Sequence, residues 1–296
     1  MEKNSTKSLL MLITAMVIYG TIGIFRKYIP LPSATLACFR GFSGAILLFV
    51  LAKVQKRKVF YNIGVKKTLW LILSGALMGL NWVVLFEAYN YTTVATATLC
   101  YYMAPTIVVL LSPIFFKERI TGKKGGCALV SIGGMVLVSG FIEGGMPALS
   151  EARGILLGLF AAVLYATVVM MNKKLPGIDT YEKTILQLFA AAVVLVPYLL
   201  VMKQTVAVSI TPSVIVLLLI VGLVHTGVAY ALYFGSIDAL KAQTVALFSY
   251  IDPITALVLS ALVLHEKMTA FGAIGAVLIV GAAVVSEWQW KKKKNE

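Results

Sequence analysis

The segment TATLCYYMAP at residues 96–105 has a counterpart, TVALFSYIDP, at residues 244–253. The match continues beyond both prolines without a gap, so that Glu118 aligns with Glu266. Apolar residues match easily by chance, whereas aligned prolines and glutamates do so far less often. The chain is therefore predicted to contain one structural unit twice.

Both copies consist of long apolar runs. Of all residues, 60% are hydrophobic and 13% are charged, whereas a soluble domain carries about 25% charged residues. The charges cluster between apolar runs of about 20 residues, the length at which a helix crosses a bilayer. The sequence predicts an all-α integral membrane protein. Its ten transmembrane helices are expected near residues 8–28, 33–53, 67–90, 93–116, 124–142, 153–172, 181–203, 213–236, 242–264 and 268–287.

The two copies are expected to enter the membrane in opposite senses. Five predicted helices lie in residues 8–144 and five in residues 152–287, and an odd number of crossings inverts the second copy. With the N-terminus in the cytoplasm, about twenty basic residues fall in inner segments and about five in outer ones. Both termini are therefore predicted to be cytoplasmic, in the plasma (inner) membrane. The basic tail, residues 288–296, is expected to contact anionic lipid headgroups.

Several other classes of protein are disfavoured. The formal charge of +14 forms no continuous stripe, so no nucleic-acid partner is predicted. Cys38, Cys100 and Cys127 lack the spacing of a metal site or a disulfide framework. No nucleotide-binding P-loop and no protease or hydrolase signature occurs, so neither an enzyme nor a metal nor a cofactor is expected.

Inverted repeats are typical of secondary transporters, in which two related halves expose a central cavity to either side alternately. A secondary transporter of a small-molecule substrate is therefore the first hypothesis. An uncoupled facilitator or channel is the second. A membrane enzyme or receptor is a third class, for which the sequence shows no specific feature. The oligomeric state is left open between monomer and homodimer.

The motifs also resemble a known family. The likeness rests on prolines that precede charged residues: Pro105 before Lys117-Glu118-Arg119, Pro253 before His265-Glu266-Lys267, and Pro32 before Arg40. This pattern is similar to the EamA-type family of the drug/metabolite transporter superfamily and covers nearly the whole chain. The resemblance implies ten helices, a cavity between the halves, and proton-coupled or facilitated passage of metabolites, often outward. An exporter of an amino acid or a related amphipathic compound is expected.

Charged and imidazole side chains within predicted helices are the first candidates for function, because they cost several kcal/mol unless they pair or face water. Arg40 and Glu87 are interpreted as an ion pair, which fixes helix packing, forms an outer gate, or binds the carboxylate and amine of a zwitterion. His225 and Asp252 lie near the midplane, where they either relay protons or, for the histidine, serve packing. Glu87 and Asp252 also depart from the family pattern.

Polar and aromatic residues at similar depths complete the predicted substrate site. They offer aromatic walls with a few polar groups, and helix packing is the alternative role for each. Pro105 and Pro253 are expected to kink their helices. The glutamates at helix ends, Glu118 and Glu266, are expected to cap helices or pair with loops. The wall residues are Asn81, Trp82, Tyr101, Tyr102 and Tyr250.

Overall fold

The computed structural model describes residues 2–57, 59, 63–117, 119–144, 147–175, 177–201, 211–237, 240 and 242–287. All regular structure within these ranges is helical, which confirms the all-α prediction. The predicted basic tail, residues 288–296, lies outside the described residues, and so does Glu118.

The first half of the chain begins with three long helices and continues with shorter ones. Threonine caps start two of them: Thr93 accepts the backbone N–H of Thr96, and Thr121 accepts that of Lys124. The helices are α1 (Glu2–Tyr28), α2 (Ser33–Val54), α3 (Val65–Tyr91), α4 (Val94–Tyr101), α5 (Ala104–Phe116), α6 (Gly122–Val138) and α7 (Phe141–Gly144).

The second half contains one unusual element, a π-helical segment at Ile220–Val228. Within it, the side chains of His225 and Thr226 contact carbonyl oxygens five residues earlier, at Ile220 and Val221. The surrounding helices are α8 (Leu149–Lys173), α9 (Thr180–Val201), α10 (Pro212–Leu219), α11 (Ala229–Ile237), α12 (Ala242–Phe248), α13 (Ile251–Val263) and α14 (Ala270–Glu287).

The helices have the length and surface of membrane-crossing segments. Seven helical stretches of the described chain are long and apolar enough to cross a bilayer, and two shorter apolar helices, Ile251–Val263 and Ala270–Ser286, follow them. Large apolar side chains on their outer faces, such as Leu156 and Val277, are exposed, as expected where lipid replaces water. The chain is thus built as a multi-pass membrane protein, while the count of ten crossings stays a prediction.

The helices break at aligned positions in the two copies. Tyr102 separates α4 from α5 with φ −72° and ψ 2°, and Tyr250 separates α12 from α13 with φ −75° and ψ −4°. Pro105 and Pro253 lie in the first turn of the helix that follows each break, where a missing N–H costs no helical hydrogen bond. The chain therefore interrupts its helix just before each proline, at the places where the sequence predicts kinks.

A second backbone feature recurs where these helices end. Lys117 follows α5 with φ 55°, and His265, its aligned residue, follows α13 with φ 54°. Left-handed backbone is disfavoured by roughly 1–2 kcal/mol for residues with a side chain. Its recurrence at aligned positions shows that the two copies share a backbone conformation as well as a sequence pattern.

Small residues bring the central helices into close contact. Helix α3 packs against α8 and α9, α2 packs against α9, and α1 contacts α11 and α13. A Cβ atom on Gly75 would lie 2.5 Å from the Gln187 carbonyl oxygen, and one on Gly79 would lie 2.7 Å from that of Ala191. These glycines therefore serve internal packing of α3 on α9.

Candidate functional site

Arg40 is the buried charge at the centre of the site. Only 7% of the residue is exposed. Its Nε donates a hydrogen bond to Thr226 Oγ1 at 2.9 Å, and its guanidinium carbon lies 4.3 Å from the centre of the Trp82 ring. Among the described residues, its terminal amino groups have no hydrogen-bond partner. The protein thus holds the guanidinium through the Nε hydrogen bond and through the face that lies on Trp82. Both terminal amino groups remain available to an acceptor such as a carboxylate.

Several tyrosine side chains lie close enough to this guanidinium to interact with it electrostatically. Tyr19, Tyr89, Tyr101 and Tyr230 all interact electrostatically with Arg40. The rings of Tyr19 and Tyr230 meet edge to face, with centroids 5.6 Å apart. The Tyr19 hydroxyl is buried and has no hydrogen-bond partner within the described part of the chain. An unsatisfied buried hydroxyl costs about 1–3 kcal/mol, so this group is available to a ligand.

Asp252 supplies an acidic group to the same region. It lies in the first turn of α13, and its carboxyl interacts with the Tyr102 hydroxyl and with Arg40. Tyr102 packs edge to face on Tyr101, with ring centroids 5.9 Å apart. Of the ion pairs found between described residues, none joins Arg40 to Asp252. Arg40 and Asp252 therefore both interact with Tyr19 and Tyr89 without forming an ion pair with each other.

The protein itself satisfies the His225 ring, which is 1% exposed. Its Nε2 lies 2.7 Å from Thr21 Oγ1, and its Nδ1 lies 3.3 Å from the Ile220 carbonyl oxygen. A neutral ring with its proton on Nδ1 donates to Ile220. Its Nε2 then accepts from Thr21 only if the single hydroxyl proton of Thr21 turns away from the Ile18 carbonyl oxygen, to which it donates at 2.7 Å. The Phe25 ring packs against it at 4.8 Å. These contacts hold the ring between α1 and the segment Ile220–Val228, and its role in packing or proton relay stays a prediction.

The predicted ion pair between Arg40 and Glu87 is not formed. Glu87 Oε2 instead accepts hydrogen bonds from Ser33 Oγ at 2.9 Å and from Asn90 Nδ2 at 3.0 Å. The same two side chains accept hydrogen bonds from Arg26 Nη2, at 3.1 Å for Ser33 Oγ and 3.4 Å for Asn90 Oδ1. Sequence spacing gives the depth of a residue along a helix but not the direction of its side chain, which is why the partner differs.

The other predicted wall residues divide between packing and the site. Asn81, 1% exposed, donates a hydrogen bond from Nδ2 to the Ala161 carbonyl oxygen at 2.6 Å and so fixes α3 to α8. Tyr250 is buried beside the break before α13. The Trp82 ring packs against the Arg40 guanidinium. Among the described residues, no three His, Cys, Asp or Glu side chains are grouped to hold a metal ion.

Glu266 joins the two halves of the chain. Its carboxylate accepts the Val94 N–H at 2.9 and 3.1 Å and the Ala95 N–H at 3.4 Å. Ser260 donates a hydrogen bond to the same carboxylate, and Lys27 Nζ lies 4.0 Å from it. The sequence predicts a cap for Glu266 but not its target, which is the start of α4 in the other half.

A comparison with protein families agrees with this architecture. The model of the EamA-like transporter family matches the chain twice, at residues 6–140 and at residues 152–287. The chain belongs to the EamA-like transporter family. The resemblance inferred from the sequence is confirmed, and membership identifies a membrane transporter and not an enzyme.

Relatives of this EamA-like transporter match much or nearly all of its length. It is 24% identical over 299 residues to the uncharacterized transporter YxxF of Bacillus subtilis (strain 168), covering 99% of this chain and 94% of the relative. It is 27% identical to a probable amino-acid metabolite efflux pump of Escherichia coli (strain K12), covering 70% of this chain and 73% of the relative. A crystal structure that is 20% identical aligns with a TM-score of 0.67 and covers 94% of this chain and 96% of that one, which supports the fold.

In this EamA-like transporter, some of the predicted site residues lie near Arg40 and others do not. Trp82, Tyr101, Tyr102 and Asp252 lie there, whereas Glu87 and Asn81 have other partners. Sequence reasoning missed several tyrosines because a lone tyrosine in an apolar helix gives no sign of the face it occupies. The repeat itself marks two of them, since Tyr19 aligns with Tyr165. The missed residues are Tyr19, Tyr89, Tyr165 and Tyr230.

Proposed function

We propose that the chain is a secondary transporter that exports an amino acid or a related amphipathic metabolite across the plasma membrane. In this proposal it crosses the membrane ten times, as inverted units at residues 8–144 and 152–287 around a central cavity. Both termini lie in the cytoplasm, where the tail contacts anionic headgroups. Similarity to a relative named as a probable amino-acid metabolite efflux pump supports the substrate class and the direction.

The observation that carries the proposal is the placement of Arg40 and Asp252 around one group of tyrosines. Arg40 offers two unbonded amino groups for a carboxylate, and Asp252 offers an acceptor for an ammonium group. The tyrosine rings that interact with both groups suit the apolar part of an amphipathic solute. A solute with both charges neutralises both side chains at once, which repays the cost of burying them.

Glu266 supplies a means of closing one end of the site. In the proposed orientation α4 begins at the outer side of the membrane, so its contact with Glu266 ties α13 to α4 there. Alternating access then requires this contact to break when the outer side opens. The aligned residue Glu118 is the corresponding candidate for the inner side.

Coupling to protons would involve Asp252. A carboxyl group that faces the substrate binds either a proton or the substrate's ammonium group, and this competition exchanges one for the other. Both ring nitrogens of His225 already have partners within the protein. The second candidate function, an uncoupled facilitator, uses the same site without any change in the protonation of Asp252.

Flux of radiolabelled L-leucine and of other amino acids in proteoliposomes, with and without an imposed pH gradient, tests the proposal. Accumulation against a concentration gradient that collapses when the pH gradient is removed supports coupling. The Asp252→Asn variant should then equilibrate substrate downhill but no longer accumulate it. An unchanged distribution in wild-type vesicles would select the facilitator, and no flux of any amino acid would reject the substrate class.

A further inference from the structure

A second recess lies apart from the Arg40 site, between the ends of α1, α2, α3 and α9. Its volume is about 570 Å³, within the range of about 300–1,000 Å³ that small-molecule sites occupy. None of the tyrosines around Arg40 lines it, and Arg40 and Asp252 do not line it either. Its polar lining consists of Arg26, Lys27, Ser33, Glu87, Asn90 and Tyr198.

Glu87 gives this recess an acceptor that the protein leaves half used. Its Oε2 receives the hydrogen bonds from Ser33 and Asn90. No described residue donates a hydrogen bond to its Oε1. Because an ionised carboxylate accepts about four hydrogen bonds, the free oxygen is suited to an ammonium group.

Positive charge lies directly beside this carboxylate. The Ser33 hydroxyl accepts a hydrogen bond from Arg26 Nη2 at 3.1 Å and donates one to Glu87 Oε2 at 2.9 Å, so a single side chain separates the two charges. Lys27 also lines the recess, with 32% of its side chain exposed. Arg26 is 6% exposed and holds the network in place. Lys27 is partly exposed and lies 4.0 Å from Glu266 Oε1, at the limit of an ion pair, so its ammonium group can also reach a carboxylate in the recess.

We propose that this recess is a second solute site for zwitterionic amino acids, on the outer side of the membrane. Glu87 binds the ammonium group, Lys27 binds the carboxylate, and the aliphatic wall around Val83 contacts the side chain. The inference rests on the proposed function for its orientation. In an exporter, this outer site binds solute that the transporter has just released, and it also binds solute already present outside. It gives Glu87 a role that the Arg40 site does not.

Protection from chemical labelling tests the proposal without measuring transport. A cysteine replaces Val83 on the wall of the recess, and a membrane-impermeant maleimide is added from outside to right-side-out proteoliposomes. Labelling of the chain without this cysteine is subtracted. We expect external L-leucine to slow labelling several-fold, and isopentylamine and 4-methylpentanoate, each carrying one of its two charged groups, to slow it less.

The Glu87→Gln change identifies the group responsible. In the chain that also carries Val83→Cys, Glu87→Gln should reduce the protection given by L-leucine to the level given by 4-methylpentanoate. Glu87→Asp should retain part of the protection. Glu151→Gln is the matched control, since Glu151 is an exposed carboxylate at the start of α8. Elution as a single species in size-exclusion chromatography identifies correctly folded variants.

The proposal fails if none of the three compounds protects, or if protection persists in Glu87→Gln. The variant Arg40→Lys separates it from the transport function. Protection in that variant should equal that of the parent even when flux is lost, and its disappearance would assign the effect to the Arg40 site.

Discussion

Two buried arginines on neighbouring helices differ in how the protein uses them. Arg26 donates to the Ile29 carbonyl oxygen, to Ser33 and to Asn90. Arg40 donates one hydrogen bond, from Nε to Thr226, and rests on a tryptophan ring. Burial alone therefore does not identify a binding residue. The distinguishing feature is the number of N–H groups that the protein leaves without an acceptor.

The largest expected effect is that of Arg40→Lys. Lysine keeps the charge but cannot form two parallel hydrogen bonds with a carboxylate. Hydrogen bonds to charged groups contribute about 1.5–3 kcal/mol, so we expect the half-saturation constant for flux from the inner side to rise about 10- to 100-fold. Arg119→Lys, at an exposed position, is the control. Equal kinetics in the two variants would remove Arg40 from the site.

The same substitution at Arg26 should act mainly on stability. A lysine cannot reach the Ile29 carbonyl, Ser33 and Asn90 at once, and the unpaired buried groups cost about 1–3 kcal/mol. Thermal unfolding in detergent should therefore show a lower melting temperature than that of Arg40→Lys. The half-saturation constant should change less than in Arg40→Lys. A reversed order would show that the two arginines have exchanged roles.

Thr226→Val tests whether the hydrogen bond from Arg40 Nε to Thr226 orients the guanidinium. Valine fills the volume of threonine but removes the acceptor at 2.9 Å from Arg40 Nε. We expect a smaller rise in the half-saturation constant than for Arg40→Lys, about fivefold, because the guanidinium is misdirected and not lost. Thr167→Val is the matched control, since among the described residues the Thr167 hydroxyl bonds only the Val163 carbonyl oxygen of its own helix.

Trp82→Phe should have the smallest effect of these changes. Phenylalanine retains an aromatic face for Arg40 but attracts a cation less strongly than tryptophan does. The expected loss of about 0.5–1 kcal/mol corresponds to a two- to fivefold rise in the half-saturation constant. Trp70→Phe controls for the substitution, because Trp70 contacts the Met171 carbonyl oxygen and not an arginine. No change in Trp82→Phe would leave the ring a packing role only.

The depth of polar residues in the membrane could be read from the sequence, but their neighbours could not. Arg40 stands out because a charge inside an apolar run is costly. Arg26 does not, because the end of a predicted helix is an ordinary place for a basic residue. Charge and depth alone favour Arg40 as the partner of Glu87, whereas the rotation of α3 directs the Glu87 carboxylate towards Ser33 and Asn90.

The repeat made the helix breaks more predictable than the π turn. Aligned prolines mark the interruptions at Tyr102 and Tyr250 on both copies. The segment Ile220–Val228 has no such marker, since its conformation accompanies contacts of His225 and Thr226 with α1 and α2. Tertiary contacts of this kind are not encoded in local periodicity.

The cap on α4 has a consequence for the order in which the protein is made. Val94 leaves the ribosome 172 residues before the carboxylate that will bind its N–H. At about 5–20 residues per second, this delay lasts roughly 10 to 30 s. During that time the start of α4 has its Thr93 cap but lacks the carboxylate that accepts the Val94 and Ala95 N–H groups. Synthesis of the second half thus completes the folding of the first.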